Sequence, residues 1–351
     1  MRRHVLTAFV LAASMPVSGA GFLPLSLPGS QLSALSADGQ SAAGGLVGGA
    51  SGGFRWHEGE GPRTLSGAMS VRAISASGRY VAGSSLDAGQ HEVATWWDAE
   101  GRAHALGGLP DADAQAGVLS VAYGITDQPH VVGTAVNAQR ESVAFAWTSA
   151  EGLRLLASSG TASGASGISS DGRRIYGWSE RADATRRGVL WNQGRVCCTV
   201  ETGAMPNELV GANRGATLLL GLTHEAPDAD TPFRWSPDVA RTETAIATPS
   251  NASTLRFTAG SDDGRVLAGA SGSGAHRVAM IWTEGGGVER LDAFVASRGL
   301  AIPSGWTLIA ATAVSADGSR LGGYGLVDGR FDSFVIDLPR GDAAAHSPTA
   351  P

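Results

Sequence analysis

The 351-residue chain carries a formal net charge of −6, from 26 basic and 32 acidic residues. All of the basic residues are arginine, so a mechanism that uses a lysine Schiff base or a lysine nucleophile is excluded. The acidic balance argues against a nucleic-acid partner, because such a partner needs a basic protein surface.

The first twenty residues have the organisation of a secretory signal peptide. Arg2 and Arg3 precede an apolar run at residues 5–15, and small residues follow at 18–20. The sequence therefore predicts cleavage after Ala20 and export to the periplasm or the extracellular medium. Beyond this segment no apolar run approaches the roughly 18 residues of a membrane span, so we expect no transmembrane segment.

A short module then recurs seven times along the chain. Each copy has an Ile/Val-Ser-x-Asp-Gly turn, then Val-x-Gly-x-Ser, then a stretch that ends in an aromatic residue. These aromatic residues recur about every 40 to 50 residues, the spacing of propeller blades, at Trp56, Trp96, Trp147, Trp191, Trp235, Trp282 and Phe334. The turns of the third copy (Asp127-Gln128-Pro129) and the fifth copy (Asn213-Arg214-Gly215) are degenerate.

Within a copy, the stretches are short, rich in Val, Ile, Ala and aromatic residues, and bounded by turn formers, which is typical of strands in a meander. We predict four strands per copy. The Asp-Gly pairs suit tight hairpins because such turns need positive φ, which Gly adopts freely and Asp tolerates. The glycines of the second strand are expected to allow close backbone approach, and they are Gly83, Gly133, Gly177, Gly221, Gly269 and Gly323.

The two ends of the repeat array predict how the ring closes. The last copy ends with its third strand at residues 334–338, while residues 22–29 resemble the end of the second copy at 105–110. We therefore expect the N-terminal strand to complete the last blade, which removes unpaired edges. A short helix from Asp292 as N-cap to Gly299 is predicted between blades six and seven.

The predicted fold class is all-β. Residues 21–338 form a single seven-bladed β-propeller of four-stranded antiparallel blades, closed by the N-terminal strand. Residues 339–351, which are rich in Ala and Pro, are expected to form a disordered C-terminal tail.

The copies resemble the HAF-type extracellular repeats of exported bacterial proteins. The best-matching segments are residues 34–39, 144–147 and 306–325, and the likeness extends over residues 22–338. The His-Ala-Phe tripeptide of the family name is nowhere intact, and Val143-Ala144-Phe145 and Val278-Ala279-Met280 stand in its place. The resemblance implies an exported repeat protein without a defined activity, and it supplies no catalytic, cofactor-binding or metal-binding residue.

Residues with reactive side chains are scattered. The histidines stand singly without metal-ligand spacing and are expected at the surface, at positions His57, His91, His104, His130, His224 and His276. The only two cysteines, Cys197 and Cys198, are adjacent. In an oxidising compartment they form a strained vicinal disulfide, remain two packed thiols in blade four, or pair between molecules.

Two classes of function remain open. In the first, a monomeric, non-enzymatic scaffold contacts a protein or carbohydrate through variable loops on one face, at residues 85–93, 179–188 and 222–232. In the second, a polysaccharide-acting hydrolase or lyase has an axial site in which carboxylates converge as acid and base, and the candidates are Glu92, Glu141, Glu180 and Asp228. The sequence favours the scaffold, because its repeated positions hold turn and packing residues rather than convergent catalytic groups.

Overall fold

The computed structural model describes residues 21–48, 52–112, 117–201, 203–226, 229–238, 243–247 and 254–338. These residues form seven antiparallel sheets of four strands each, which confirms the predicted seven-bladed propeller. One parallel bridge between Ala212 and Ala259 joins the sheets of blades five and six. The predicted signal peptide, its cleavage residue Ala20 and the predicted tail lie outside the described residues.

In each blade the first strand lies at the ring axis and the fourth lies at the rim. Blade one comprises β2 Ser30–Leu35, β3 Ser41–Leu46, β4 Gly52–His57 and β5 Gly61–Leu65. Blade two comprises β6 Ala68–Ile74, β7 Val81–Leu86, β8 Glu92–Trp97 and β9 Ala103–Gly107. Blade three comprises β10 Ser120–Ile125, β11 His130–Val136, β12 Ser142–Thr148 and β13 Gly152–Leu155. Blade four comprises β14 Ser163–Ile168, β15 Arg174–Glu180, β16 Arg186–Asn192 and β17 Arg195–Thr199. Blade five comprises β18 Asn207–Ala212, β19 Leu219–Ala226, β20 Ala229–Trp235 and β21 Glu243–Ala245. Blade six comprises β22 Arg256–Gly260, β23 Val266–Ser271, β24 Val278–Thr283 and β25 Gly287–Arg290. Blade seven comprises β26 Trp306–Val314, β27 Arg320–Val327, β28 Arg330–Asp337 and the N-terminal β1 Gly21–Pro24.

The ring has two distinct faces. The turn face carries the turns between the first and second strands of each blade. The loop face, on the opposite side, carries the connections between the second and third strands and those between blades. No helix among the described residues is long and apolar enough to cross a membrane.

The Ser-x-Asp-Gly turns are held by a repeated hydrogen-bond pattern. In blade one, Ser36 Oγ donates to Asp38 Oδ1 at 2.6 Å, Asp38 Oδ1 accepts from the Gln40 N–H at 2.9 Å, and Gly39 adopts a φ of 70°. Only the glycine of this turn has a positive φ. The expectation that the aspartate also adopts a positive φ is therefore wrong. The aspartate instead contributes a carboxylate that satisfies local donors.

Backbone hydrogen bonds also join the turns of neighbouring blades around the turn face. These bonds run from N–H to carbonyl oxygen at Ala37 to Ala76, Ser170 to Arg214, Asp262 to Ala316 and Ala316 to Ala37. The Ala316 to Ala37 bond, at 2.8 Å, joins blade seven to blade one across the closure of the ring. The recurring turn therefore links blades as well as strands.

The N-terminal strand closes the last blade, as predicted. β1 pairs antiparallel with β28, with Phe22 opposite Ile336. The Phe22 ring lies 5.3 Å from the ring of Phe334 and 5.0 Å from that of Trp306. Leu25 follows β1 and is buried in the apolar cluster of blade one. Chain closure thus uses both backbone pairing and apolar packing.

Strand register corrects two of the aromatic positions taken from the sequence. Gly83 pairs with Thr95 and Val81 pairs with Trp97, so Trp97 rather than Trp96 occupies the repeat position, and it is fully buried. Trp96 points to the other side of the strand and stacks on His104 at 4.0 Å. In blade seven, Ile336 holds the tryptophan position, because Phe334 pairs with the strand-two glycine.

The predicted helix between blades six and seven is present as α1, Leu291–Ser297. Its N-cap is Arg290, not Asp292 as predicted. Asp292 lies in the first turn, where it pairs with Arg290 at 2.6 Å. Its negative charge there interacts favourably with the positive N-terminal end of the helix dipole. Gly299 has a φ of 76° and ends the helix as predicted.

Candidate functional site: the central channel

All seven axial strands contain a β-bulge at the same place. The bulged residue lies three positions before the first residue of the turn, and the seven bulged residues are Ser33, Arg72, Tyr123, Ser166, Val210, Thr258 and Thr312. We call this set the bulge ring. A bulge changes the direction of one side chain relative to the regular alternation along the strand. All seven of these residues line the central channel.

A glycine of the second strand lies opposite each bulge, next to a carbonyl oxygen of the axial strand. A Cβ built on Gly44 would lie 2.2 Å from the Gln31 oxygen, and one built on Gly83 would lie 2.0 Å from the Ser70 oxygen. The expectation that these glycines allow close backbone approach is therefore confirmed. They are the sequence feature that makes the bulge possible.

The channel has a volume of about 760 Å³, which lies within the range of about 300–1,000 Å³ found for small-molecule sites. Its loop-face end is lined by Val47, Met69 and Arg277, and its middle by the bulge ring. None of the described lining residues is Asp or Glu, although acidic residues outnumber arginines in the chain. The channel therefore has a positive lining in a negatively charged protein.

Arg214 spans the turn-face end of the channel. It belongs to the turn of blade five, and its Nη2 donates to the carbonyl oxygens of Leu35 at 3.0 Å and Ser36 at 2.6 Å in blade one. Burial lowers the pKa of Arg214 from its ordinary value, and the neighbouring Asp262 opposes that shift. The degenerate turn of the fifth copy thus supplies a side chain that reaches across the ring.

Tyrosines add hydroxyl groups to the channel wall. Tyr123 belongs to the bulge ring, and Tyr176 and Tyr324 come from second strands. Burial raises the pKa of Tyr176 to about 12, so this phenol stays neutral and can donate a hydrogen bond at any physiological pH.

The carboxylates proposed for an axial acid–base pair are not brought together. Glu92 accepts a hydrogen bond from Ser84, and Glu141 accepts one from Asn137 at 3.1 Å, each within its own blade. Glu180 accepts from Thr161 at 3.5 Å. None of these three lines the channel, and Asp228 lies outside the described residues.

A network of charged side chains on the loop face joins blades four, five and six. Arg186 pairs with Glu208 at 3.0 Å, His224 Nδ1 lies 2.7 Å from Asp230 Oδ1, and Arg256 pairs with Asp230 at 2.5 Å. Burial raises the pKa of Asp230, but the hydrogen bonds from His224 and Arg256 outweigh it and lower the value overall.

Sequence reasoning missed this network, because it treated His224 as an isolated surface residue. A usable signal was the hairpin itself, in which His224 and Asp230 are cross-strand partners. Within the described part of the chain, no group of three or more His, Cys, Asp or Glu side chains is arranged to hold a metal ion.

The three loops proposed as a contact surface all lie on the loop face, because each joins the second and third strands of its blade. They are shorter than predicted, because the strands extend further: β7 ends at Leu86 and β8 begins at Glu92, and β15 ends at Glu180 and β16 begins at Arg186. The tip of the third loop, at residues 227–228, lies outside the described residues.

Cys197 and Cys198 lie in β17, the rim strand of blade four, as two free thiols. Cys197 is bulged out of the β16–β17 register, and its thiol lies 3.3 Å from the Leu190 carbonyl oxygen. Burial, together with the hydrogen bond to Cys198, raises the pKa of Cys197 to about 11. The vicinal disulfide between Cys197 and Cys198 stays a prediction.

No protein-family model and no curated protein matches this sequence. The β-propeller domain of the Trilobed protease from Pyrococcus furiosus aligns with a TM-score of 0.56 and 9% identity, over 88% of this chain and 95% of that domain. TolB from Acinetobacter baumannii aligns with a TM-score of 0.50 and 11% identity, over 91% of this chain and 64% of its own length. The protease domain has an open velcro topology, whereas β1 closes the ring here. At such low identity these likenesses show the fold alone, and the chain is a β-propeller.

Proposed function

We propose that this protein is an exported, non-enzymatic binding ring that takes its ligand into the central channel from the loop face. The observation that carries the proposal is the channel itself. It has the volume of a small-molecule site and is lined by hydroxyl, apolar and arginine side chains, with no carboxylate among its described lining residues.

The distribution of carboxylates argues against the hydrolase or lyase. Glycoside hydrolysis usually needs two carboxyl groups about 5–10 Å apart on either side of the scissile bond. Glu92, Glu141 and Glu180 come from blades two, three and four, and they contact local partners outside the channel. This arrangement supports binding rather than acid–base chemistry.

Export is part of the proposal and is supported by the sequence. The Arg2-Arg3 pair, the apolar run at 5–15 and the small residues before Gly21 form the pattern of a cleavable signal. We also propose membership of the HAF-type extracellular repeat family, supported by the turn and strand motifs. The protein is also proposed to act as a monomer. We propose that it has no nucleic-acid partner, in keeping with its net charge of −6.

The proposal is tested by measuring binding and turnover on one purified sample. A panel of small solutes is screened by thermal shift, and a panel of glycoside, ester and peptide substrates is screened for hydrolysis. We expect ligands that raise the Tm and no turnover. Reproducible turnover that is abolished by Glu92→Gln, Glu141→Gln or Glu180→Gln would establish the enzyme instead.

A further inference from the structure

We propose that the channel binds a small organic anion, whose carboxylate or phosphate group is attracted by Arg72 in the middle of the channel and Arg277 at its loop-face end. This inference rests on the proposed function, because it names the ligand class of the same channel.

Arg72 is the residue that breaks the pattern of the bulge ring. The other six positions hold Ser, Thr, Val or Tyr, so packing around the axis does not need a charge there. The Arg72 side chain is exposed, and its guanidinium carbon lies 5.8 Å from the centre of the Tyr123 ring. No described carboxylate forms an ion pair with it. Its charge therefore faces the channel without a described carboxylate to neutralise it.

Arg277 approaches the channel from the opposite side of the ring. It follows a single 3-10 turn, Gly274–His276, in the loop-face connection of blade six, and blade six lies across the axis from blade two. Arg277 is exposed and has no ion-pair partner among the described residues. By contrast, Arg186 and Arg256 on the same face are each paired with a carboxylate.

The rest of the wall favours a negative ligand as well. With Arg214 at the turn-face end, three arginines line the channel, and no described lining residue is acidic. A concave site lined by one sign of charge concentrates ions of the other sign, even when the net charge of the protein opposes them. Planar guanidinium groups also match carboxylate and phosphate oxygens geometrically.

Apolar residues at the channel mouth indicate that the anion is organic. Leu46, Val47 and Met69 line the loop-face end, and Val47 and Met69 remain 43% and 38% exposed. Together with the Tyr123 ring, they offer surface to an uncharged part of the ligand. A bare inorganic ion would leave this surface unused.

The test is a titration calorimetry series on the whole protein with four probes: benzoate, phenyl phosphate, benzamide and inorganic phosphate. We expect benzoate or phenyl phosphate to bind at least tenfold more tightly than benzamide and inorganic phosphate. Arg72→Gln and Arg277→Gln should each weaken that binding about tenfold or more, the loss expected for a charge-assisted hydrogen bond. The control Arg173→Gln removes an equal charge from the turn face, where the side chain is 82% exposed, and should leave affinity unchanged.

Preference for the carboxylate or for the phosphate ester would identify the oxyanion, and either preference supports the inference. Equal binding of benzoate and benzamide, tight binding of inorganic phosphate, or an equal loss in Arg173→Gln would overturn it. If neutral solutes bind while both organic anions do not, the anion inference fails and the binding ring stands. If no solute binds and a substrate is turned over, the proposed function fails too.

Discussion

Arg214 donates a hydrogen bond of 2.6 Å to the carbonyl oxygen of Ser36, and this contact crosses the ring from blade five to blade one. All the other inter-blade turn contacts described above join adjacent blades. Arg214 therefore connects blades on opposite sides of the ring at the turn face. It also places a cation at the end of the channel.

Replacing Arg214 by Ala should lower the free energy of unfolding by about 1–3 kcal/mol, the range for hydrogen bonds to charged groups whose buried partners lose their donor. Urea unfolding followed by tryptophan fluorescence measures the change. The control Arg173→Ala removes a mostly exposed arginine of the neighbouring blade's turn and should stay within about 0.5 kcal/mol. Equal stability of the two variants would mean that the cross-ring contact contributes nothing.

Two neighbouring glycines of β3 test whether a strand-two glycine is needed opposite the bulge. Gly44→Ala should destabilise by about 1–3 kcal/mol, as overpacking does, because the new Cβ would lie 2.2 Å from the Gln31 carbonyl oxygen. Gly45 is the next residue, and the nearest heavy atom to its Cβ would lie 4.0 Å away. Gly45→Ala should be neutral or stabilise by up to about 1 kcal/mol through the unfolded state. Denaturant unfolding compares the two, and an equal cost in both would refute the role of the bulge.

The fold was predictable because the packing motif is repeated seven times. The period alone, however, left the choice between Trp96 and Trp97 open, since consecutive residues on a strand point to opposite faces. Only the pairing of Gly83 with Thr95 decides it. The N-cap of α1 was misplaced by two residues, at Asp292 instead of Arg290.

The residues that line the channel were not predicted, although a signal existed. The bulged residues lie at a constant three positions before each turn, but they share no residue type, because a bulge depends on the glycine opposite it rather than on its own side chain. Arg214 was hidden for another reason. Its partners are more than 170 residues away in sequence, and no local pattern encodes such a contact.

Acid should weaken the turns of the ring. Hydrogen bonds from Ser169 Oγ and the Arg173 N–H hold the pKa of Asp171 below its ordinary value of 3.8. For Asp317, burial raises the pKa, but hydrogen bonds from Ser315 and Ser319 outweigh it and lower the value. The unfolded chain therefore binds more protons, so this contribution is present above pH 3.8 and is lost as the pH falls below it.

Unfolding free energies measured from pH 5 down to the lowest pH at which the protein stays folded should show this loss. The variant Asp171→Asn keeps an acceptor oxygen but has no charge to titrate, so its stability should depend less steeply on pH. An unchanged slope would show that Asp171 does not titrate differently in the folded and unfolded states.

The thiol of Cys197 should react slowly in the folded protein. With the Cys197 pKa raised to about 11, little thiolate is present at neutral pH, and the thiolate is the nucleophile. Alkylation by iodoacetamide should therefore be much slower than that of free cysteine at pH 7.5 and should accelerate as the pH rises. Alkylation after unfolding without reductant counts the free thiols. Two labels support packed thiols, and no label on a monomer supports a vicinal disulfide. A dimer on a non-reducing gel with fewer than two labels per chain supports an intermolecular bond.

Ring closure by β1 predicts a strong difference between two neighbouring residues. Phe22 packs between the rings of Trp306 and Phe334, so Phe22→Ala should lower the free energy of unfolding by about 2 kcal/mol or more, as large-to-small changes in packed clusters do. Leu23 is the next residue along β1 and is 37% exposed, so Leu23→Ala should cost less than about 1 kcal/mol. Both variants retain the backbone pairing with β28, so the difference isolates the packing of the closing strand. Urea unfolding measures it, and equal costs would show that closure depends on backbone pairing alone.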